Sequence, residues 1–277
     1  QAATTAGGTT RDPSVPTPPA VHRPTGPAQA RALTPGSRTL SNGSLILTAR
    51  LNTAALDSRR GVVRLHPEAL AALGVRALSL AEAAACDVVM IAVPVQGMER
   101  VIAEVAPLVK PGATVLDIAS VKMLPSQWLL HYLPTSVHIV PTHPLFGPQS
   151  VARDGLAGRQ LVICPARGDQ HLKVAALGEE LGLRVQITTA EEHDREMAYV
   201  QALTHLVGRT LGGMAIPDEM LKTQSYQHLL DLCELLKRDS FELFTAIQTL
   251  NPFAEEITRE FVTRAGDLLA QVHDGNG

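Results

Sequence analysis

Residues 87–93 read DVVMIAV, an unbroken apolar run behind a single aspartate. A run this short and this apolar suits a strand buried on both faces, the condition met inside parallel sheets. Directly after it, VQGMERVIAEVAPLV (95–109) carries apolar residues at helical spacing and stops at Lys110-Pro111-Gly112. ATVLDIA (113–119) then repeats the strand pattern. Strand, helix and strand in that order make a crossover unit, and a crossover joins parallel strands.

The alternation extends in both directions. Upstream, GVVRL (61–65) is a β-branched strand candidate, PEALAALG (67–74) a helix opened by proline and closed by glycine, and SLAEAAA (79–85) a second short helix. Downstream come a helix at PSQWLLHYL (125–133), a strand at VHIVPT (137–142), a strand at RQLVICP (159–165), a helix over 168–182 and a strand at LRVQITT (183–189). Past Thr189 the strand signals stop. AEEHDREMAYVQALTHLVGRTLGGM (190–214) reads as one long helix, and two or three more fill 217–277, with breaks near Asp239 and Asn251-Pro252. The expected fold class is α/β: a doubly wound, mainly parallel sheet over 44–189, followed by an all-helical part over 190–277. A ligand cleft belongs between the two, at the strand C-termini.

Composition narrows the function. The chain has 277 residues, 45% of them apolar, and a formal net charge of −3. Basic residues form no long run, so nucleic acid is not an expected partner. The longest apolar run, VVMIAVPV (88–95), is too short to cross a bilayer. Cys86, Cys164 and Cys233 are far apart and odd in number, which fits neither a zinc site nor a disulfide framework and points to a reducing, cytoplasmic setting. All three fall within strand or helix patterns and are expected to pack as small hydrophobes. No metal-ligand cluster stands out.

Residues 1–43 differ in kind. They are rich in Ala, Thr, Pro, Gly and Arg and have no Lys, Glu or aromatic residue. Such a stretch buries too little apolar surface to order itself and reads as a disordered extension. An Arg-bearing, acid-poor leader also resembles an organelle transit segment, which would place the chain in a plastid or another organelle.

Three successive strand ends aim polar groups at one sheet edge. AVPV (92–95) brings Val93 and Pro94, IASVK (118–122) brings Ser120 and Lys122, and PTHPLFGP (141–148) brings His143. Pro144 and the Gly147-Pro148 pair restrict the backbone around His143. An imidazole titrates near neutrality, so one held in a fixed direction at a cleft suits general-base work. On the long helix, Gln201, His205 and Arg209 stand four apart and share a stripe. His193 lies in the first turn, on another side. Glu191, Glu192 and Asp194 around it read as charges complementary to the helix dipole.

DIASVK, THPLFGP, EEHDREMAYVQALTH and TQSYQHLLDL, with RDSFELF and NPFA after them, resemble the prephenate/arogenate dehydrogenases of tyrosine biosynthesis, most of all the plant-like arogenate branch. The resemblance runs from about Gly61 to the last helices. It implies a Rossmann-type domain followed by a helical dimerisation domain, hence a homodimer. It also implies oxidative decarboxylation of arogenate or prephenate with hydride transfer to NAD or NADP. By resemblance His143 is the base, and Ser120 orients the ring hydroxyl and the histidine. His205, Gln201, His193, Lys122 and Arg209 are the expected substrate contacts. Val93, Pro94, Ser120 and Arg64 are the expected cofactor contacts.

Two departures from the family pattern stand out. SLILTARLNTAALDSRR (44–60) contains a strand-like LIL and a helix-like TAALDSRR, but none of the glycines of the phosphate-binding turn. A second reading follows: a cofactor-impaired homologue that binds ligand or partner without turnover. Arg64 and His66 also stand where an acidic residue would hold the ribose 2′-hydroxyl, which leans toward NADP. Gln227 and His228, rather than an arginine, follow Ser225-Tyr226 and favour arogenate, since prephenate's second carboxylate would call for a cation.

Overall fold

In a computed structural model, residues 78–275 are described apart from Ala215, Arg238 and the side chain of Gln149, together with the backbone of residues 56–57 and 62–63. All of these belong to one compact unit, Leu47–Gly277. Strands β1 (Leu56–Asp57) and β2 (Val62–Val63) form a short antiparallel ladder of their own. The remaining strands, β3 (Val88–Ile91), β4 (Thr114–Asp117), β5 (His138–Pro144), β6 (Gln160–Ile163) and β7 (Arg184–Ile187), make a five-stranded sheet in sequential order. All its pairs are parallel except β5–β6.

Helix α1 (Leu80–Ala84) starts at a reciprocal cap between Ser79 and Glu82. Helix α2 (Val95–Val105) turns Val95, Met98, Ile102 and Val105 onto the sheet at helical spacing, and a 3₁₀ turn at Ala106–Leu108 ends it. Helix α3 (Met123–Tyr132) joins β4 to β5, α4 (Pro148–Asp154) follows β5, and α5 (His171–Glu180) joins β6 to β7. Alternate residues of each strand serve opposite faces. Val115 and Ile139 pack with Met98, Ile102 and Leu129 on one side, while Leu116 and Val140 pack with Leu161, Ile163 and Ala175 on the other.

Beyond the sheet the chain is helical: α6 (Ala190–Met197), a π-helical segment Ala198–Leu203, then α7 (Thr204–Gly213), α8 (Gln224–Leu236), α9 (Phe241–Leu250) and α10 (Ala254–Asp274). Thr189 caps α6, with Glu192 returning the bond. This is the expected Rossmann-type, mainly parallel α/β class with a helical C-terminal part.

Several local expectations change. Val62–Val63, the described part of GVVRL, pairs with β1 and not with the large sheet. Only Ser58–Gly61 separates Asp57 from Val62, far too short for a crossover, so the two strands can pair only antiparallel. Leu56–Asp57 is extended where TAALDSRR looked helical. Strand β3 is not covered on both faces. Val88 and Met90 are 59% and 58% exposed, because among the described residues no strand pairs with its outer edge and no helix covers that face. The long helix is not uniform, since its middle turn widens to π geometry, a recurrent feature of functional helices. Gln248 Nε2 donates to the carbonyl of Ala202 in that turn at 2.8 Å. LIL and PEALAALG lie outside the described residues.

Candidate active site

Strand β5 positions the centre. Its first residues pair with β4 up to Asp117↔Pro141, and its last three, Thr142, His143 and Pro144, pair with β6 instead. His143 therefore stands past the end of β4, at the C-terminal edge of the parallel strands, and is almost wholly buried.

Behind it lies a continuous hydrogen-bonded row. His143 Nδ1 is 2.9 Å from His193 Nε2, and His193 Nδ1 is 2.8 Å from Asp194 Oδ1. The two imidazoles meet edge to face. Asp194 also accepts the main-chain N–H of Lys122 at Oδ1 and of Met123 at Oδ2, both at 2.8 Å. It thus caps the start of α3 from α6. Asn251 Nδ2 donates to the Asp194 carbonyl at 2.7 Å, tying in the loop before α10. Burial pushes the His143 imidazole well below its ordinary range, and the Lys122 ammonium pushes it the same way. His143 is therefore held as a neutral imidazole.

Lys122 does not face a cleft. Its side chain is 0% exposed, its ammonium is paired with the equally buried Asp117 carboxylate, and it also donates to the Thr142 carbonyl at 2.6 Å. The expectation of a substrate contact fails because a buried carboxylate already claims the charge. Thr142 Oγ1 donates to the Asp117 carbonyl, so the pair locks the two strand ends beside His143.

His193 is likewise not a surface contact. It is fully buried, and both ring nitrogens are engaged by protein groups. The assignment of Asp194 as a solvated dipole charge is also wrong, since that carboxylate is fully buried and bonded. A helical repeat shows that residues 193 and 194 share a turn, but not that the sheet edge lies against it. The one available signal was the EEHD stretch itself, an imidazole beside a carboxylate.

Ser120 sits half-buried in the bend after β4, and its hydroxyl has no hydrogen-bond partner among the described residues. Val93 is half-buried and Pro94 exposed at the end of β3, where α2 begins with no side chain capping its first amides. Arg64 lies outside the described residues.

Gln201, His205 and Arg209 form a second group. Gln201 Oε1, His205 Nδ1 and Arg209 Nε are buried without a hydrogen-bond partner among the described residues. Arg209 donates to the carbonyls of Asp239 and Ser240 and lies over the Phe241 and Phe244 rings. His205 Nε2 is 3.8 Å from Asp239 Oδ2. Burial lowers the His205 imidazole, Asp239 opposes that, and Arg209 adds to it. No described hydrogen bond joins this group to His143.

The cysteines divide: Cys164 is buried, Cys233 half-buried and Cys86 exposed, so Cys86 does not pack as expected. Among the described residues no cluster of His, Cys, Asp or Glu could hold a metal ion, and no helix is long and apolar enough to cross a membrane.

The profile described as "Prephenate dehydrogenase, nucleotide-binding domain" matches residues 65–186, and one described as "TYRAAT1-like, C-terminal domain" matches residues 210–272. Over residues 65–186 the chain is similar to the prephenate/arogenate dehydrogenases. A probable arogenate/prephenate dehydrogenase of Methanocaldococcus jannaschii is 31% identical over 66% of this chain and 43% of its own length. Arogenate dehydrogenase 2, chloroplastic, of Arabidopsis thaliana is 31% identical over 57% of this chain and 47% of its own. The chain thus spans less than half the length of these relatives. The crystal structure of prephenate dehydrogenase from Aquifex aeolicus, in complex with hydroxyphenyl propionate and NAD+, shares the fold. Its TM-score is 0.60 and its identity 19%, over 76% of this chain and 80% of that one.

Proposed function

We propose that this chain catalyses oxidative decarboxylation of arogenate or prephenate with NADP or NAD, giving tyrosine or 4-hydroxyphenylpyruvate. The observation that carries this reading is a neutral, buried His143 held rigidly at the C-terminal edge of the sheet. The described part of the edge suits a dinucleotide: the uncapped start of α2 offers main-chain donors, Val93 an apolar wall, and Ser120 an unpartnered hydroxyl. Arg64 is the proposed contact nearer the ribose. When bound, the nicotinamide supplies the hydride acceptor. His143 accepts the proton of the ring hydroxyl while the ring carbon gives up its hydride. The ring carboxylate leaves as CO₂, and its bonding pair makes the ring aromatic. His143 then returns the proton to the phenolic oxygen.

Ser120 orients the hydroxyl, and the unfilled polar atoms of Gln201, His205 and Arg209 supply hydrogen bonds for the rest of the substrate. The proposed division is 1–43, 44–189 and 190–277. It is supported by the end of β7 at Ile187 and the Thr189 cap of α6. A homodimer is proposed because α10 buries only Ala254 while Phe261, Leu268 and Leu269 stay exposed. The proposed compartment is the cytoplasm, supported by cysteines that are all free, or a plastid, as in the name of the plant relative.

The test is absorbance of reduced nicotinamide with both substrates and both cofactors in all four pairings. Arogenate with NADP is expected to give the largest signal. Silence in all four from folded protein would overturn the reading. It would leave the cofactor-impaired homologue, which the separate β1–β2 ladder and the glycine-free 44–60 favour.

A further inference from the structure

The row behind His143 has a direction. Asp194 accepts two main-chain N–H groups and lies at the positive end of α3, so it is held as a carboxylate. A carboxylate only accepts, so the 2.8 Å contact from His193 Nδ1 requires a hydrogen on that nitrogen. With no second hydrogen on His193, its lone pair lies on Nε2, and the 2.9 Å contact to His143 then requires the hydrogen on His143 Nδ1. That leaves His143 Nε2 as the lone pair on the far side, away from His193. The reverse arrangement would put a hydrogen on Nε2 and disarm the base.

The charges packed around the row favour a proton arriving at His143. The other titratable groups packed here are Asp117 and Lys122, from β4 and the bend after it, and Cys164, at the end of β6. Asp117 and Lys122 cancel each other. Cys164 is a neutral thiol, pushed up to about 12 chiefly by burial. Asp194 is the one carboxylate of the cluster without a cation, so a proton arriving at His143 neutralises the cluster rather than charging it.

We propose that Asp194 and His193 are positioning residues that hold His143 as its Nδ1–H tautomer, aim Nε2 at the substrate hydroxyl, and share the positive charge it gains. This rests on the dehydrogenase reading for its substrate, but the tautomer is a property of the folded chain alone. In the step, the substrate O–H bond breaks and an Nε2–H bond forms. The new charge is then spread through the Nδ1–H···Nε2 bond to His193, beside Asp194.

The experiment is ¹⁵N NMR of the full chain labelled in histidine, with resonances assigned through His143→Asn and His193→Gln. Wild-type protein should show protonated Nδ1 and unprotonated Nε2 on both rings near neutral pH. An unprotonated His143 Nδ1, or a His193 protonated on both nitrogens, would overturn the proposal. Asp194→Asn should then mix the tautomers and lower kcat by roughly 10²–10⁴, as loss of the orienting carboxylate does in other His–Asp pairs, with KM moved only a few-fold. A kcat within about threefold of wild type in folded Asp194→Asn would also overturn it. If Asp194→Asn does not fold, the wild-type spectrum decides. The expected spectrum from a chain silent in all four assays would sink the dehydrogenase reading and keep the histidine row.

Discussion

Replacing Lys122 by methionine should cost more stability than almost any other single change in the sheet. The side chains of Lys122 and Asp117 are each 0% exposed. Asp117 Oδ2 receives the ammonium and, at 2.8 Å, the N–H of Ala119, while Oδ1 has no partner among the described residues. Without the lysine the carboxylate keeps one neutral donor in a dry site. Removing one partner of such a pair costs about 3–5 kcal/mol, a large share of the roughly 5–15 kcal/mol that holds a domain together. Methionine preserves most of the length, so little of the loss comes from a cavity. Adding Asp117→Asn removes the stranded charge and should recover at least half. Urea denaturation at constant m measures both. If Lys122→Met unfolds within about 1 kcal/mol of wild type, or the double variant is no better than the single, the pair is not structural. A raised KM at unchanged stability would restore the substrate contact.

Four further outcomes follow from the same structure. His143→Asn should lower kcat by roughly 10²–10⁴ and leave the fold intact, checked by steady-state assay beside circular dichroism. Folding depresses His143 and His205 below the value of an unfolded histidine. Their contribution to stability is therefore present above pH of about 6.5 and lost as pH falls through the lower folded values, so the urea midpoint should drop from pH 7.5 to 5.5. A midpoint that rises would contradict the buried neutral imidazoles. Iodoacetamide should label exposed Cys86 in native protein but Cys164 only after unfolding, since its thiol is buried and held up near about 12; peptide mass spectrometry reads both. Ile102→Ala at a fully buried position should cost about 2–5 kcal/mol by urea titration. Leu172→Ser, at an exposed one, should cost about 0.5 kcal/mol or less in the same assay.

How far the sequence reached is clearest from particular residues. DVVMIAV, VQGMERVIAEVAPLV and ATVLDIA named a parallel crossover, and β3, α2 and β4 form it. Apolar period follows from how a strand or helix buries one side, so it is visible locally. Caps such as Ser79 with Glu82 are visible for the same reason. The π turn at Ala198–Leu203 was hidden, because its residues keep an ordinary helical pattern and the wider turn comes from packing against α9 and α10. Strand β3's open face was hidden too, since an apolar run states what a residue tolerates, not what covers it.

The sequence alone determined the α/β class, the helical C-terminal part and the presence of His143 at a strand end. Those depend on neighbours within a few residues, which every chain carries with it. Only the tertiary structure decided what stands around that histidine. Lys122 looked like a substrate cation and is neutralised by Asp117, while His193 and Asp194 looked like a solvated helix start and lie buried behind His143. The histidine row brings together groups about 50 and 70 residues apart, while Lys122 and Asp117 are close in sequence and are made a strong pair only by burial. Distance along the chain carries no record of that, because desolvation exists only once the fold has closed around the group.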